Sequence, residues 1–390
     1  MLEKVESVNF AGNGFTEDAT QTHAPHGRYY TDPELFEAEQ RAVFQHEWQY
    51  VCHQTELPKS GDYLVDEIGG ESLYVIRGRD DQIRAFYNVC QHRGHELLTG
   101  RGNVKMVVTC PYHAWCYDLE GKLRNAPMCD EVKGFDRTDV RLTPINVEII
   151  GGFVFVNLDP DATPLREMAP AFESIVMAMV AEAPDLRYAT HKDYDIKANW
   201  KIVTENFLEA YHVGRCGKAH VALGHIIDTS TYGFNINGRT IEYTARGGKA
   251  EVIPYDVNET DAFTNTRGAP FHQVFLWPNM TFSVFPGTNM LFIFNMKPAG
   301  PDRVAERITY FTLDGTMSEP TETAEAYISN QLNTEDVDLV EAVQRGVSSR
   351  GYKPGRLMVD PEQKEGWGEH FIHHFNTLNL EALNRAGEAG

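Results

Sequence analysis

Two short segments constrain this 390-residue chain most: Cys90-Gln-His92 and Cys110-Pro-Tyr-His113, separated by seventeen residues. Each supplies one thiol and one imidazole. Such a donor set holds a structural zinc, or a [2Fe–2S] centre in which two histidines replace two cysteines on one iron. The distribution of donors favours iron–sulfur, because each loop can reach both irons. A zinc finger normally pairs Cys with Cys in a loop and His with His on a helix. Between the segments, Gly94, Gly100, Gly102 and the strand-like VKMVVT suit two loops joined by a hairpin, and Pro111 stiffens the second loop. Gly94 lets backbone N–H groups approach inorganic sulfide, whose charge needs donors.

The surrounding texture is β-like. From about residue 50 to 158, runs such as SLYVIRG, IRAFYNV, CYDLEGKL and GGFVFVNLD alternate with Gly and Asp. Residues 1–30 are polar and read as an arm with little structure of its own, and 32–49 as a helix capped by Thr31 or Asp32 with Pro33 in its first turn. ATPLREMAPAFESIVMAMVAEAPDL predicts another helix, HKDYDIKAN a strand and WKIVTENFLEAYHV a helix. Residues 239–313 hold long alternating runs that predict an antiparallel sheet, and 320–345 and 366–386 read as helical. The expected class is α+β: an all-β cluster domain (46–158) and a second domain whose antiparallel sheet is covered by helices (159–390), with an N-terminal arm and helix (1–45) packed on the latter.

Composition excludes several functions. A formal charge of −21 repels phosphate backbones and anionic lipid, so no nucleic-acid or membrane partner is expected. No apolar run is long enough to span a bilayer, and the N-terminus lacks a secretory pattern. The six cysteines then point to a reducing, cytoplasmic setting and to metal binding rather than disulfides. Cys116 and Cys129 lie outside the ligand spacing and read as small buried side chains.

The run CQHRGHELLTGRGNVKMVVTCPYHAWCYDLEGKL resembles the Rieske domain of the catalytic alpha subunit of Rieske non-haem iron oxygenases. NWKIVTENFLEAYH at 199–212 resembles that family's mononuclear-iron helix, and TEDVDLVEAVQRG at 334–346 its C-terminal carboxylate segment; the likeness spans about residues 32–375. It implies a [2Fe–2S] cluster on Cys90, His92, Cys110 and His113, and a mononuclear Fe(II) on a two-histidine, one-carboxylate triad with open coordination positions. His212 is the first expected ligand. The family's second histidine follows after four residues, but position 217 is Gly, so His220 becomes the expected ligand, with His225 in reserve. The insertion contains Gly214, Gly217 and Cys216, whose thiolate fits this iron chemistry poorly. Asp336 is the expected carboxylate and Asp338 its competitor, while Glu335 and Asp338 also fit a solvated acidic face.

On a continuous helix, Glu205, Glu209 and His212 would share one face, with Glu205 supporting the site. The resemblance gives Glu209 a further role: it holds His212 and bridges to His113 of a neighbouring subunit, so that electrons cross a homotrimer interface. It also implies O₂ as co-substrate and electrons from a separate NAD(P)H-dependent flavin/iron–sulfur reductase, directly or through a ferredoxin. The chain itself has no G-x-G-x-x-G strand-turn-helix for a nicotinamide. The ENFLEAYH and ED-x2-L-x-E-x2-Q-R-G forms look more like members acting on quaternary ammonium compounds, hydroxylated, N-demethylated or cleaved, than like aromatic-ring hydroxylating or dealkylating members. Phe275, Trp277, Phe282, Phe285 and Phe292 offer rings for a cation, or simply a core. A Rieske electron-transfer protein without oxygenase activity is the reading from another class, and it leaves some 230 residues without a purpose.

Overall fold

Short apolar runs between glycines become strands throughout Phe44–Leu165, one of two units into which the chain divides. The computed structural model describes residues 14–248 and 271–388. In this unit β1 (Gln49–His53), β2 (Asp62–Ile68), β3 (Glu71–Arg77), β4 (Ile83–Tyr87), β5 (Arg101–Asn103), β9 (Pro144–Ile150) and β10 (Phe153–Asn157) form an antiparallel sheet in the order β1-β10-β9-β4-β3-β2-β5. A second sheet joins β6 (Val107–Thr109), β7 (Cys116–Asp118) and β8 (Leu123–Asn125). The two-residue period of a strand divides the core. Leu73 and Val75 of β3 enter one apolar cluster, while Tyr74 and Ile76 enter another that contains Cys90, Cys110 and Tyr117.

The other unit holds the remaining described residues. Its sheet runs β11-β17-β16-β15-β14-β13-β12, all antiparallel neighbours. The strands are β11 (Arg187–Ile196), β12 (Ile227–Asn237), β13 (Thr240–Gly247), β14 (Phe271–Leu276), β15 (Met280–Val284), β16 (Leu291–Gly300) and β17 (Arg303–Thr312). Every residue of β15 is buried, so both faces are covered. The helices are α1 (Arg28–Thr31), α2 (Pro33–Glu39), α3 (Leu165–Met168), α4 (Phe172–Met179), α5 (Trp200–Phe207), α6 (Lys218–Ile226), α7 (Glu319–Tyr327), α8 (Asn333–Val347) and α9 (His370–Glu388). Phe172 of α4 meets Phe282 edge-on at 5.2 Å on one face of the sheet. On the other, Phe207 of α5 packs 4.5 Å from Phe294. The expected α+β class is the one observed. Among the described residues no helix is long and apolar enough to cross a membrane.

Four expectations change. Residues 14–31 of the N-terminal arm are built in: Phe15, Tyr29 and Tyr30 are buried, and Asn379 of α9 donates to the Tyr29 hydroxyl at 2.6 Å. Residues 1–13 of that arm lie outside the described residues. The helix expected over 32–49 is α2, capped by Asp32, followed by a π-helical turn at Gln40–Phe44. The helix expected after residue 161 breaks into α3 and α4 around Pro170, which has no N–H to continue the ladder. Finally, α5 stops at Phe207. Leu208 is fully buried and its carbonyl accepts from the Tyr243 hydroxyl at 3.1 Å. Glu209 and His212 therefore follow the helix instead of lying on it.

Candidate metal centres and substrate cavity

The cluster loops are built alike. Cys90 N–H donates to the His95 carbonyl (2.9 Å) and Gly94 N–H to the Cys90 carbonyl (3.0 Å). Cys110 N–H donates to Trp115 (2.8 Å) and Ala114 N–H to Cys110 (3.1 Å). The fourth residue after each cysteine is left-handed: Gly94 at φ 71° and Ala114 at φ 57°. Repeating one loop presents a thiol and an imidazole from each side. Cys90 and Cys110 are buried, neighbouring and unpaired by disulfide. His92 and His113 lie together with ring centroids 4.6 Å apart, and His92 stacks on Trp115 at 4.7 Å. Tyr117, buried on β7, accepts from Gln91 N–H at 3.1 Å. Its own proton is then free for Cys90 Sγ, 3.3 Å away. Burial pushes the Cys90 thiol up, and the Tyr117 hydrogen bond opposes it. Two thiols beside two imidazoles, with a hydroxyl aimed at sulfur, fit a cluster that needs thiolate donors.

The second centre gathers residues from distant segments. His212 follows α5, His220 lies in the first turn of α6 and Asp336 in the first turn of α8. Their donor atoms lie within 4.8 Å of one another. Asp336 Oδ1 sits 3.0 Å from His220 Nε2 and 3.8 Å from His212 Nε2. That oxygen is buried and, among the described residues, accepts no aligned hydrogen bond. A shielded carboxylate oxygen facing two ring nitrogens is what a divalent cation satisfies. Each ring is held at its other nitrogen: His212 Nδ1 by Glu209, and His220 Nδ1 by Glu335 at 2.9 Å.

Glu335 is more than the solvated acid expected. Besides the His220 ring, its carboxylate accepts the backbone N–H groups of Lys218 (2.7 Å), Ala219 (3.0 Å) and His220 (3.1 Å). It thus caps α6 from another helix. Burial alone would raise its pKa, but these hydrogen bonds hold it below the usual glutamate value. Burial would likewise lower His220; Asp336 and Glu335 outweigh it and raise the imidazole. Cys216 and His225 are outside the donor group, and His225 and Asp338 are exposed. Glu205 turns elsewhere, accepting from Tyr30 Oη (3.0 Å) and Asn376 Nδ2 (2.8 Å). Its expected support of the iron site fails because the shared helix face does not form.

A cavity of about 110 Å³ opens onto this centre. Tyr232, Tyr243, Phe271, Phe285, Phe292 and Phe294 wall it, with Glu209, His212, His220 and Asp336 on its lining. Of the strand aromatics expected as a cage, Phe285 and Phe292 line it, whereas Phe275, Trp277 and Phe282 are core. Sequence reading missed Tyr117, the capping role of Glu335, and Gln273, also on the cavity wall. Only Glu335 left a signal, the adjacent acid pair at 335–336.

Residues 47–136 match the Rieske [2Fe-2S] domain, and residues 184–384 the ring hydroxylating alpha subunit (catalytic domain). The carnitine monooxygenase oxygenase subunit of Escherichia coli (strain K12) is 38% identical over 353 residues, covering 90% of this chain and 91% of that protein. A crystal structure of the quaternary ammonium Rieske monooxygenase CntA with L-carnitine superposes with TM-score 0.82 at 32% identity, covering 95% of this chain and 98% of the other. Another structure of a quaternary ammonium Rieske monooxygenase, described for carnitine oxidation and inter-subunit electron transfer, gives TM-score 0.83 at 33% identity, with the same 95% and 98% covered. With both domains present in one chain, this protein belongs to the Rieske non-haem iron oxygenases, as a catalytic alpha subunit carrying a [2Fe–2S] cluster and a mononuclear iron.

Proposed function

We propose that this chain oxidises a small quaternary ammonium compound of the betaine or carnitine kind, hydroxylating it and thereby demethylating or cleaving it at nitrogen. The observation that carries this reading is the aromatic-walled cavity that His212, His220 and Asp336 also line. Ring faces attract a cation that cannot donate hydrogen bonds, and a dry wall strengthens the attraction. The relatives named above as acting on carnitine support it.

His212, His220 and Asp336 would hold the iron, which supplies reductive activation of O₂ when bound. Glu209 and Glu335 accept from the two Nδ1 positions, leaving both Nε2 atoms for the metal. The rings around the cavity orient the ammonium methyl groups and exclude water. Cys90, His92, Cys110 and His113 would hold the cluster, with Tyr117 stabilising the Cys90 thiolate. Electrons would come from an NAD(P)H-dependent flavin/iron–sulfur reductase. Glu209 would carry them from His113 of a neighbouring copy in a homotrimer. The unpaired state of all six cysteines favours a reducing compartment.

The test is oxygen uptake with a reductase, against a panel of trimethylammonium compounds and aromatic acids, with product scored per O₂ consumed. Coupled turnover of the ammonium compounds and about three irons per chain are expected. Coupled turnover of aromatic acids alone would overturn the proposal. Glu209→Gln should keep both metals and lose coupled turnover; unchanged single-turnover electron transfer would refute the bridging role.

A further inference from the structure

We propose that Gln273 is a specificity-determining residue: its amide N–H₂ group binds an oxygen acceptor, carboxylate or hydroxyl, at the far end of the ammonium substrate. This rests on the quaternary ammonium reading and deepens it by naming the residue that meets the substrate's oxygen-bearing end.

The inference starts from strand alternation. Phe271 and Gln273 share the cavity face of β14, and Gln273 is the polar residue in an otherwise aromatic stretch of wall. Directly across the strand pair lies Ser283 of β15. Ser283 is 1% exposed, and its hydroxyl donates to Gln273 Oε1 at 3.1 Å. Among the described residues this is the amide's one side-chain hydrogen bond. With the carbonyl oxygen bonded to the neighbouring strand, the N–H₂ group is left to serve a ligand in the cavity that Gln273 lines. An amide placed this way offers two donors and selects an acceptor.

The metal-binding part of the same cavity wall has the complementary character. Glu209 and Asp336 line the cavity beside the two histidines, and Glu335 stands behind His220. Three carboxylates against one divalent iron leave that part net negative. A cation is drawn toward the iron, and an acceptor oxygen toward Gln273. The pairing fixes which end of the substrate is presented for oxidation. A trimethylammonium alkane without oxygen would leave the amide donors unpaired in a largely apolar wall, the costly case.

The test compares wild type with Gln273→Leu, Gln273→Glu and Ser283→Ala, each first shown to carry full iron and cluster absorbance. Three probes are used: a trimethylammonium carboxylate, a trimethylammonium alcohol and an alkyltrimethylammonium of matched length. Their KM, kcat and product per O₂ are measured. Wild type should favour the two oxygen-bearing probes over the alkyl probe by about tenfold or more in kcat/KM, the worth of one hydrogen bond made to an otherwise unpaired buried group. Gln273→Leu should erase that preference. Gln273→Glu should lose the carboxylate probe by a further factor of about ten while retaining the alcohol, which can donate to the new carboxylate. Ser283→Ala should raise KM for the oxygen-bearing probes with kcat unchanged. A Gln273→Leu enzyme that keeps the wild-type preference would overturn the assignment. Wild-type turnover of none of the three probes would overturn the quaternary ammonium reading and this inference with it.

Discussion

Gly217→Ala is expected to damage the iron site without touching a ligand. Gly217 sits at φ +61°, and a Cβ there would lie 2.1 Å from Glu335 Oε2 and 2.2 Å from its Cδ. With ψ at 171° this is a backbone conformation that essentially only glycine adopts, and alanine there costs about 1–3 kcal/mol. The carboxylate must also withdraw, giving up its bonds from Lys218, Ala219 and His220 N–H and from the His220 ring. Glu335 is 28% exposed, so water replaces part of what is lost; about 1–2 kcal/mol more is a fair magnitude. Total destabilisation of about 2–5 kcal/mol should appear in the urea midpoint of the iron-free protein. Iron affinity should fall by about 10–100-fold, the usual effect of releasing a ligand histidine's second hydrogen bond. Gly214→Ala is the control. It lies at φ +76°, but its Cβ would meet nothing within 4 Å, so it carries the backbone cost alone. Equal losses in the two variants, or undiminished iron affinity in Gly217→Ala, would refute the role given to Glu335.

Burial, reinforced by the charge of Asp336, raises Glu306 to about 8 despite the hydrogen bond from Asn333. Its folded value exceeds the unfolded one, so its contribution to stability is full below about pH 4.5 and is lost as pH rises through about 8. Glu306→Gln should therefore leave the urea midpoint unchanged near pH 4.5 and raise it above pH 8; a parallel pH profile for the two proteins would contradict this. Lys201, fully buried, pairs with Glu39 at 2.7 Å, and Lys201→Met should cost about 3–5 kcal/mol by leaving a buried carboxylate unmatched. An unaltered unfolding midpoint would sink that reading, and adding Glu39→Gln should recover part of the loss. Ala114→Gly should stabilise the second cluster loop by about 1 kcal/mol, since Ala114 is left-handed at φ 57°; calorimetry showing a lower melting temperature would disprove it.

The cluster loops are legible in neighbouring residues, because their geometry is local. Cys90 to His92 and Cys110 to His113 each span one tight turn, and spacing within a turn is readable without knowing what packs around it. The antiparallel sheet is legible too, in the apolar and aromatic runs of β14 to β17 set between turns that carry Pro and Gly. The acid pair at 335–336 was visible, but its division of labour was not. That division comes from the folded chain, since Glu335 meets His220 across 115 residues of sequence. Tertiary structure also separated His220 from His225: five residues on a helix turn a side chain by about 140°, so α6 directs one ring to Asp336 and leaves the other exposed. Glu205, Glu209 and His212 have the spacing of one helical face, yet packing of Leu208 ended α5 between them. Gln273 carried no signal at all, because only the cross-strand Ser283 orients its amide. Local turns are written in neighbouring residues. The partners that aim a ligand or a donor belong to distant segments, and folding alone brings them together.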